Sequence, residues 1–350
     1  MATPDGTGPM NAPERILVRS PTWVGDAVMA TPALRALRAA HSEAEITVEG
    51  RPVLGELLAG LPSYDRFLDD PGSAARGLIS RVRRLQRGRY DWAVLLPDSP
   101  RAALGPYLAG IPKRVGYARD VARRMLLTEA LRHEPGAGPV PMTERYLRIT
   151  RQLGCPDQGD ALELAVAPTA RERCAARLAA LGVARGEDVV AVTPGASFGA
   201  SKLWPPEYFA HTCDALATRL GLRTVVAPGP GEVAIAHRIA NRMHASGVAW
   251  VDPGPRLDEV VALVERASLV LTNDTGPRHV AVALDRPAVV LMGPTDPRIT
   301  DQHTERQRVL REDVECSPCQ LKACPTDHRC MTRLTPERAV AAAEELLRTR

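Results

Sequence analysis

The chain has 350 residues, 45% of them hydrophobic and 25% charged, with a formal net charge of +4. This is the balance of a soluble globular protein, and the length exceeds what one core usually fills, so two domains are expected. No apolar run approaches the roughly 20 residues of a membrane-spanning helix, and residues 1–14 hold no apolar signal-peptide core, which reads as a cytoplasmic protein with a short disordered N-terminus.

In chain order, Ile16-Leu17-Val18 reads as a strand that runs into the turn Pro21-Thr22-Trp23-Val24-Gly25-Asp26 and then a helix, with Asp26 near its N-cap and Pro32 a turn further on. Ile46 to Glu49 and Trp92 to Leu96 are further strands, the second followed by Asp98-Ser99-Pro100-Arg101. Basic residues then concentrate at Arg101, Lys113, Arg114, Arg119, Arg123 and Arg124, a stretch suited to a polyanion or to a solvated surface. Gly154 to Pro168 reads as a linker and places a domain boundary near residue 165.

Beyond the helical pattern Arg171 to Leu181, strands are expected at Val189 to Val192, Thr224 to Ala227, Leu269 to Leu271 and Ala288 to Leu291. Strands alternating with helical patterns favour α/β units with mainly parallel sheets. The first of these strands enters the loop Thr193-Pro194-Gly195-Ala196-Ser197-Phe198-Gly199-Ala200-Ser201-Lys202, the second leads to Glu232, and the third to Asn273-Asp274-Thr275-Gly276-Pro277-Arg278-His279. Thr275-Gly276-Pro277 has the form of a helix start whose free N–H groups and dipole suit a pyrophosphate. Cys316, Cys319, Cys324 and Cys330, spaced C-x2-C-x4-C-x5-C around His328, read as zinc or iron–sulfur ligands, with free thiols or a disulfide as the other readings. Thr335-Pro336 opens a final amphipathic helix.

The string Arg19 to Leu34, the loop Thr193 to Pro205 and the run Asn273 to Ala281 followed by Gly293-Pro294-Thr295-Asp296-Pro297 resemble the ADP-heptose lipopolysaccharide heptosyltransferases of glycosyltransferase family 9, most of all their heptosyltransferase II type. The resemblance runs from Ile16 to Leu347. It implies an α/β chain of GT-B form, with two Rossmann-like domains whose parallel sheets face a central cleft. Residues 15–165 would be the acceptor-binding domain, 166–334 the ADP-sugar-binding domain, and 335–350 a helix packing back on the N-terminal domain.

The implied reaction is inverting transfer of L-glycero-D-manno-heptose from ADP-heptose to a heptose of the lipopolysaccharide inner core, with heptosyl-Kdo2-lipid A as acceptor and no nucleic acid partner. By resemblance Asp26 is the base and Lys202 neutralises the departing diphosphate. Thr193, Gly195, Ser197, Glu232, Asn273, Asp274, Thr275, Gly276 and His279 join Lys202 at the donor, with Glu232 on the ribose. Trp23, Ser99, Arg101 and Arg119 face the acceptor. Many relatives carry Asn-Ser-Phe where this chain has Asp98-Ser99-Pro100, so the acceptor is the less constrained half. No cofactor is required by this chemistry, and the anionic acceptor implies peripheral contact with the cytoplasmic face of the inner membrane. A different donor or acceptor, a non-catalytic ADP-sugar binder and a GT-B-shaped epimerase are the alternatives.

Overall fold

The structure, a computed structural model, describes residues 12–70, 75–132, 138–245 and 247–348, and most of the expected N-terminal tail lies outside them. The first half comprises β1 (Arg15–Arg19), α1 (Val24–Met29), α2 (Thr31–Ala40), β2 (Glu45–Gly50), α3 (Pro52–Leu58), β3 (Arg66–Asp69), α4 (Ala75–Gly88), β4 (Trp92–Leu95), α5 (Pro100–Leu108), β5 (Lys113–Tyr117), α6 (Val121–Leu126), β6 (Glu129–Leu131) and α7 (Met142–Gln152). The second comprises α8 (Pro168–Ala180), β7 (Val189–Thr193), α9 (Pro206–Leu220), β8 (Arg223–Val226), α10 (Val233–Ala240), β9 (Gly247–Ala249), α11 (Leu257–Arg266), β10 (Leu269–Asn273), α12 (Gly276–Ala283), β11 (Ala288–Leu291), α13 (Pro297–Thr300), β12 (Gln307–Leu310), α14 (Arg329–Thr332) and α15 (Pro336–Arg348).

Each half holds a six-stranded parallel sheet, ordered β3-β2-β1-β4-β5-β6 and β12-β11-β10-β7-β8-β9. The two orders are the same topology, with the direction of winding reversing between β1 and β4 and again between β7 and β10. The crevice beyond the strand ends at such a reversal is where open α/β sheets take ligands. It is here that the loops after β1, β4, β7 and β10 emerge. Every residue of β7 and β10 is buried, as are Ile16, Leu17 and Val18 of β1, because helices cover both faces of the sheets.

Helix α7 packs on α2, and α8 packs on α11, so the chain leaves the first layer system and enters the second between Gln152 and Pro168. The final helix differs from expectation. Ala339, Val340, Ala343 and Leu346 of α15 are buried, and the helix lies against α9, β11 and β12 of its own half. Trp204, buried beside Phe209, donates its indole N–H to the carbonyl of Leu334 just ahead of that helix, which fixes its approach (2.8 Å).

Candidate active site

The two halves meet through α1 and α12. Two glycines permit that contact. A Cβ on Gly25 would lie 2.8 Å from the His279 ring, and one on Gly276 would lie 2.8 Å from the Val24 side chain, both closer than real contacts allow. The lack of a side chain at Gly25 and Gly276 therefore lets the two lips come this close.

Asp26 stands in the first turn of α1, close to the N-cap as expected, but the N-cap position itself is Trp23 and the aspartate does not cap the helix. Trp23 itself is 44% exposed. Burial raises the Asp26 carboxyl to about 6, although Lys202 from the opposite half and Arg145 from α7 both pull it down. Burial, with the Asp26 charge nearby, also drives the Tyr146 phenol well up.

Across the crevice, Lys202 closes a short 3₁₀ turn, Ala200–Lys202, and its Nζ donates to the Asp274 carbonyl (2.7 Å) and to Asp274 Oδ2 (3.0 Å). Asp274 is 2% exposed and also accepts from Arg278 (2.8 Å) and from the Thr295 hydroxyl (2.5 Å). Burial alone would raise this carboxyl, but Lys202, Arg278 and Thr295 together hold it well below the usual carboxylate range. Arg278, with 0% exposure, is further tied to Gln307 and Asp301. Burial, with Arg278 and Lys202 close by, pushes His279 down to about 3 against the opposing pull of Asp274, so its imidazole is neutral near pH 7.

The other residues expected at the donor lie at the ends of β7, β8 and β10 and in the segments that follow them. Thr193 and Thr272 share a hydroxyl hydrogen bond across β7 and β10 (2.7 Å), and the Asn273 amide donates to the carbonyls of Pro194 (2.7 Å) and Gly195 (3.3 Å). The Glu232 carboxylate covers Gly195 so closely that any side chain there would collide with it, and it accepts the Gly229 N–H (2.7 Å). Burial raises the Glu232 carboxyl, with the Gly229 and Ala196 N–H groups opposing. Thr275 is the N-cap of α12, Gly276 begins that helix, and Ser197 is exposed on the loop after β7.

On the other side Ser99 caps α5, accepting the Ala102 N–H (3.4 Å), while Arg101 and Arg119 are exposed. Asp98 is ion-paired with Arg145 (3.2 Å), whose guanidinium also lies over the Tyr117 ring (5.5 Å).

A half-buried carboxylate with a raised pKa thus faces a lysine and a helix N-terminus, an arrangement fitted to deprotonating one reactant while stabilising negative charge on another. Residues 79–329 match the model of glycosyltransferase family 9 (heptosyltransferase). The chain belongs to this family. Lipopolysaccharide heptosyltransferase 2 of Salmonella typhimurium is 28% identical, over 95% of this chain and 98% of the relative. The solved ADP-heptose lipopolysaccharide heptosyltransferase II of E. coli superposes with a TM-score of 0.80 at 27% identity, covering 96% of this chain and 99% of that one. A family 9 glycosyltransferase from Veillonella parvula shares the fold at a TM-score of 0.83 and 23% identity, over 96% and 98%. The chain is accordingly a glycosyltransferase of GT-B form.

Within this family 9 chain the basic cluster between Arg101 and Arg124 is not one surface. Arg123 is fully buried and donates to the carbonyls of Tyr117 (2.7 Å), Pro97 (2.6 Å) and Ser99 (2.5 Å). Burial lowers its pKa to about 10. Arg114 donates to the carbonyl of Leu126 (2.8 Å), and Lys113 pairs with Glu129 (3.0 Å) over the Trp92 ring. Arg101, Arg119 and Arg124 remain exposed. Sequence reasoning gave no role to Arg145, Arg278 or Thr295; the four-residue spacing of Asp274 and Arg278 at a helix start was the available signal for Arg278. Cys316, Cys319, Cys324 and Cys330 are free thiols, and among the described residues no group of three His, Cys, Asp or Glu side chains is arranged to hold a metal ion.

Proposed function

We propose that this family 9 enzyme transfers a heptose from ADP-heptose to a heptose of the lipopolysaccharide inner core, with inversion. In this reading the acceptor hydroxyl attacks the anomeric carbon, Asp26 takes the hydroxyl proton, and the bond to the diphosphate oxygen breaks with its electron pair leaving on ADP. Lys202, held by Asp274, and the N–H groups at the start of α12 balance the charge that accumulates on the diphosphate. Glu232 accepts from the ribose hydroxyls, and Gly195 leaves room for its carboxylate. The observation that carries the reading is Asp26. A carboxyl lifted to about 6 is ionised at neutral pH yet far more basic than an ordinary aspartate.

The names of the relatives at 26 to 28% identity support the choice of donor and acceptor. The test is ADP release from ADP-heptose with and without heptosyl-Kdo2-lipid A, followed by mass analysis of the lipid. Acceptor-dependent release with one added heptose is expected. ADP-heptose binding without release under these conditions would overturn the assignment of acceptor.

Among the described residues no helix is long and apolar enough to cross a membrane. In this reading the enzyme reaches its lipid-borne acceptor from the membrane surface. The face of α6 fits this role, since Val121 and Met125 are each 75% exposed beside exposed Arg119 and Arg124. Replacing Val121 and Met125 with Ser is expected to weaken co-sedimentation with anionic vesicles and leave ADP binding unchanged.

A further inference from the structure

The segment from Cys316 to Cys330 is mostly exposed and holds little regular structure, yet it touches the donor side at two separate places. At the first, the Ser201 N–H donates to the Lys322 carbonyl (3.1 Å), the Ser201 hydroxyl donates to the Leu321 carbonyl (2.5 Å), and His328 Nε2 meets the Ser201 carbonyl (2.7 Å). A carbonyl can only accept, so Nε2 carries the proton. Gly199 lies flat against the Lys322 backbone, where any Cβ would collide. All three polar groups of Ser201, the residue immediately before Lys202, are thereby tied to this segment.

At the second place, the Gln320 N–H donates to the Pro294 carbonyl (2.9 Å) and the Ser317 hydroxyl to the Gly293 carbonyl (2.7 Å). The next residue, Thr295, holds Asp274, and Asp274 holds Lys202. The segment thus grips both the backbone that carries the lysine and the strand exit that supports the lysine's counter-ion.

We infer that the Cys316–Cys330 segment is a brace that sets Lys202 against the donor diphosphate, with His328 as its positioning residue. This rests on the reading of Lys202 given above. His328 touches neither substrate nor reacting atoms in this scheme; it acts through the Ser201 carbonyl. Its backbone is left-handed (φ 59°), so leucine and glutamine in its place carry the same conformational cost and differ in whether they can donate a hydrogen bond.

The experiment is calorimetric binding of ADP and of AMP to the full chain. His328→Leu is expected to weaken ADP about tenfold and AMP less than about twofold, because only ADP presents the second phosphate to a displaced lysine. His328→Gln, which can still donate, is expected to stay within about threefold of the parent for both. Lys202→Met should weaken ADP selectively and by more. An unchanged ADP affinity in His328→Leu beside a loss in Lys202→Met overturns the brace and leaves the diphosphate reading standing. An unchanged ADP affinity in Lys202→Met overturns that reading itself. Equal losses of ADP and AMP in His328→Leu also overturn the brace. Should His328→Leu fail to fold, Gly199→Ala pushes the same two segments apart, and the same ADP-selective loss is expected.

Discussion

Asp26 and Asp274 both lie where the chain passes from a strand at a winding reversal into a helix, Asp26 after the first strand of its sheet and Asp274 after the fourth of the other, yet their carboxyls are driven in opposite directions. Asp274 is almost wholly out of water, Asp26 is half-buried, and desolvation by itself raises both. Asp274 receives Lys202, Arg278 and Thr295 as direct partners and is locked as an anion. Asp26 has Lys202 and Arg145 only as neighbouring charges, too weak to offset its burial. Environment alone separates a carboxylate fit to take a proton from one fit to hold a lysine.

The sharpest way to break this comparison is to make the same substitution at both positions. Asp26→Asn is expected to reduce turnover at least about 100-fold while ADP affinity stays near that of the parent. Asp274→Asn removes the charge facing buried Arg278 and half-buried Lys202, and breaking a buried pair such as Asp274–Arg278 costs about 3–5 kcal/mol, so loss of folding stability should come with loss of ADP binding. Chemical denaturation at pH 7 adds a contrast of sign. Asp26 binds its proton more tightly folded than unfolded, so its contribution to stability falls as pH rises from about 4 through 6. Asp26→Asn removes this penalty and should stabilise the fold by on the order of 1–3 kcal/mol at pH 7. Destabilisation by Asp26→Asn would show that its carboxylate is structural.

A second prediction assigns the pH dependence. The acidic limb of kcat/KM should fall near pH 6 and belong to Asp26. His279, the residue type most often blamed for a limb in that range, is buried beside cations and stays neutral down to about pH 3. His279→Gln should therefore leave the limb where it is, whatever it does to the rate, and a limb that vanished in this variant would refute the assignment.

The residues on which these tests act were unequally visible in the sequence. Asp26, Lys202 and Asp274 lie in the segments that follow strongly apolar strands, so their place near the strand ends could be read from periodicity, and the family motifs supplied their roles. The short strands β3, β5, β6, β9 and β12 escaped because three to five residues, most of them only partly buried, carry no decisive alternation. Arg123 was misread with its neighbours, since composition cannot tell an exposed arginine from a buried one that satisfies three backbone carbonyls. The stripe on α15 predicted an amphipathic helix correctly, but which sheet receives such a stripe is decided by tertiary structure; it packs on its own half.

Arg145 was the least visible of all, and it yields the smallest predicted effect. On α7 it is one of several arginines, and Arg148 and Arg151 of the same helix pair with Glu144 as ordinary surface residues do. Only the fold brings Arg145 against Asp98, over Tyr117 and within reach of Asp26. Because its charge lowers the Asp26 carboxyl, Arg145→Met should move the acidic limb of kcat/KM upward by a fraction of a pH unit to about one unit. Asp98→Asn removes the anion that fixes Arg145 and leaves the arginine itself in place, so its shift should be smaller. Where Arg145→Met lowers activity without moving the limb, the arginine acts on the acceptor or on the α7 packing, and the basicity of Asp26 is set by burial and Lys202 alone.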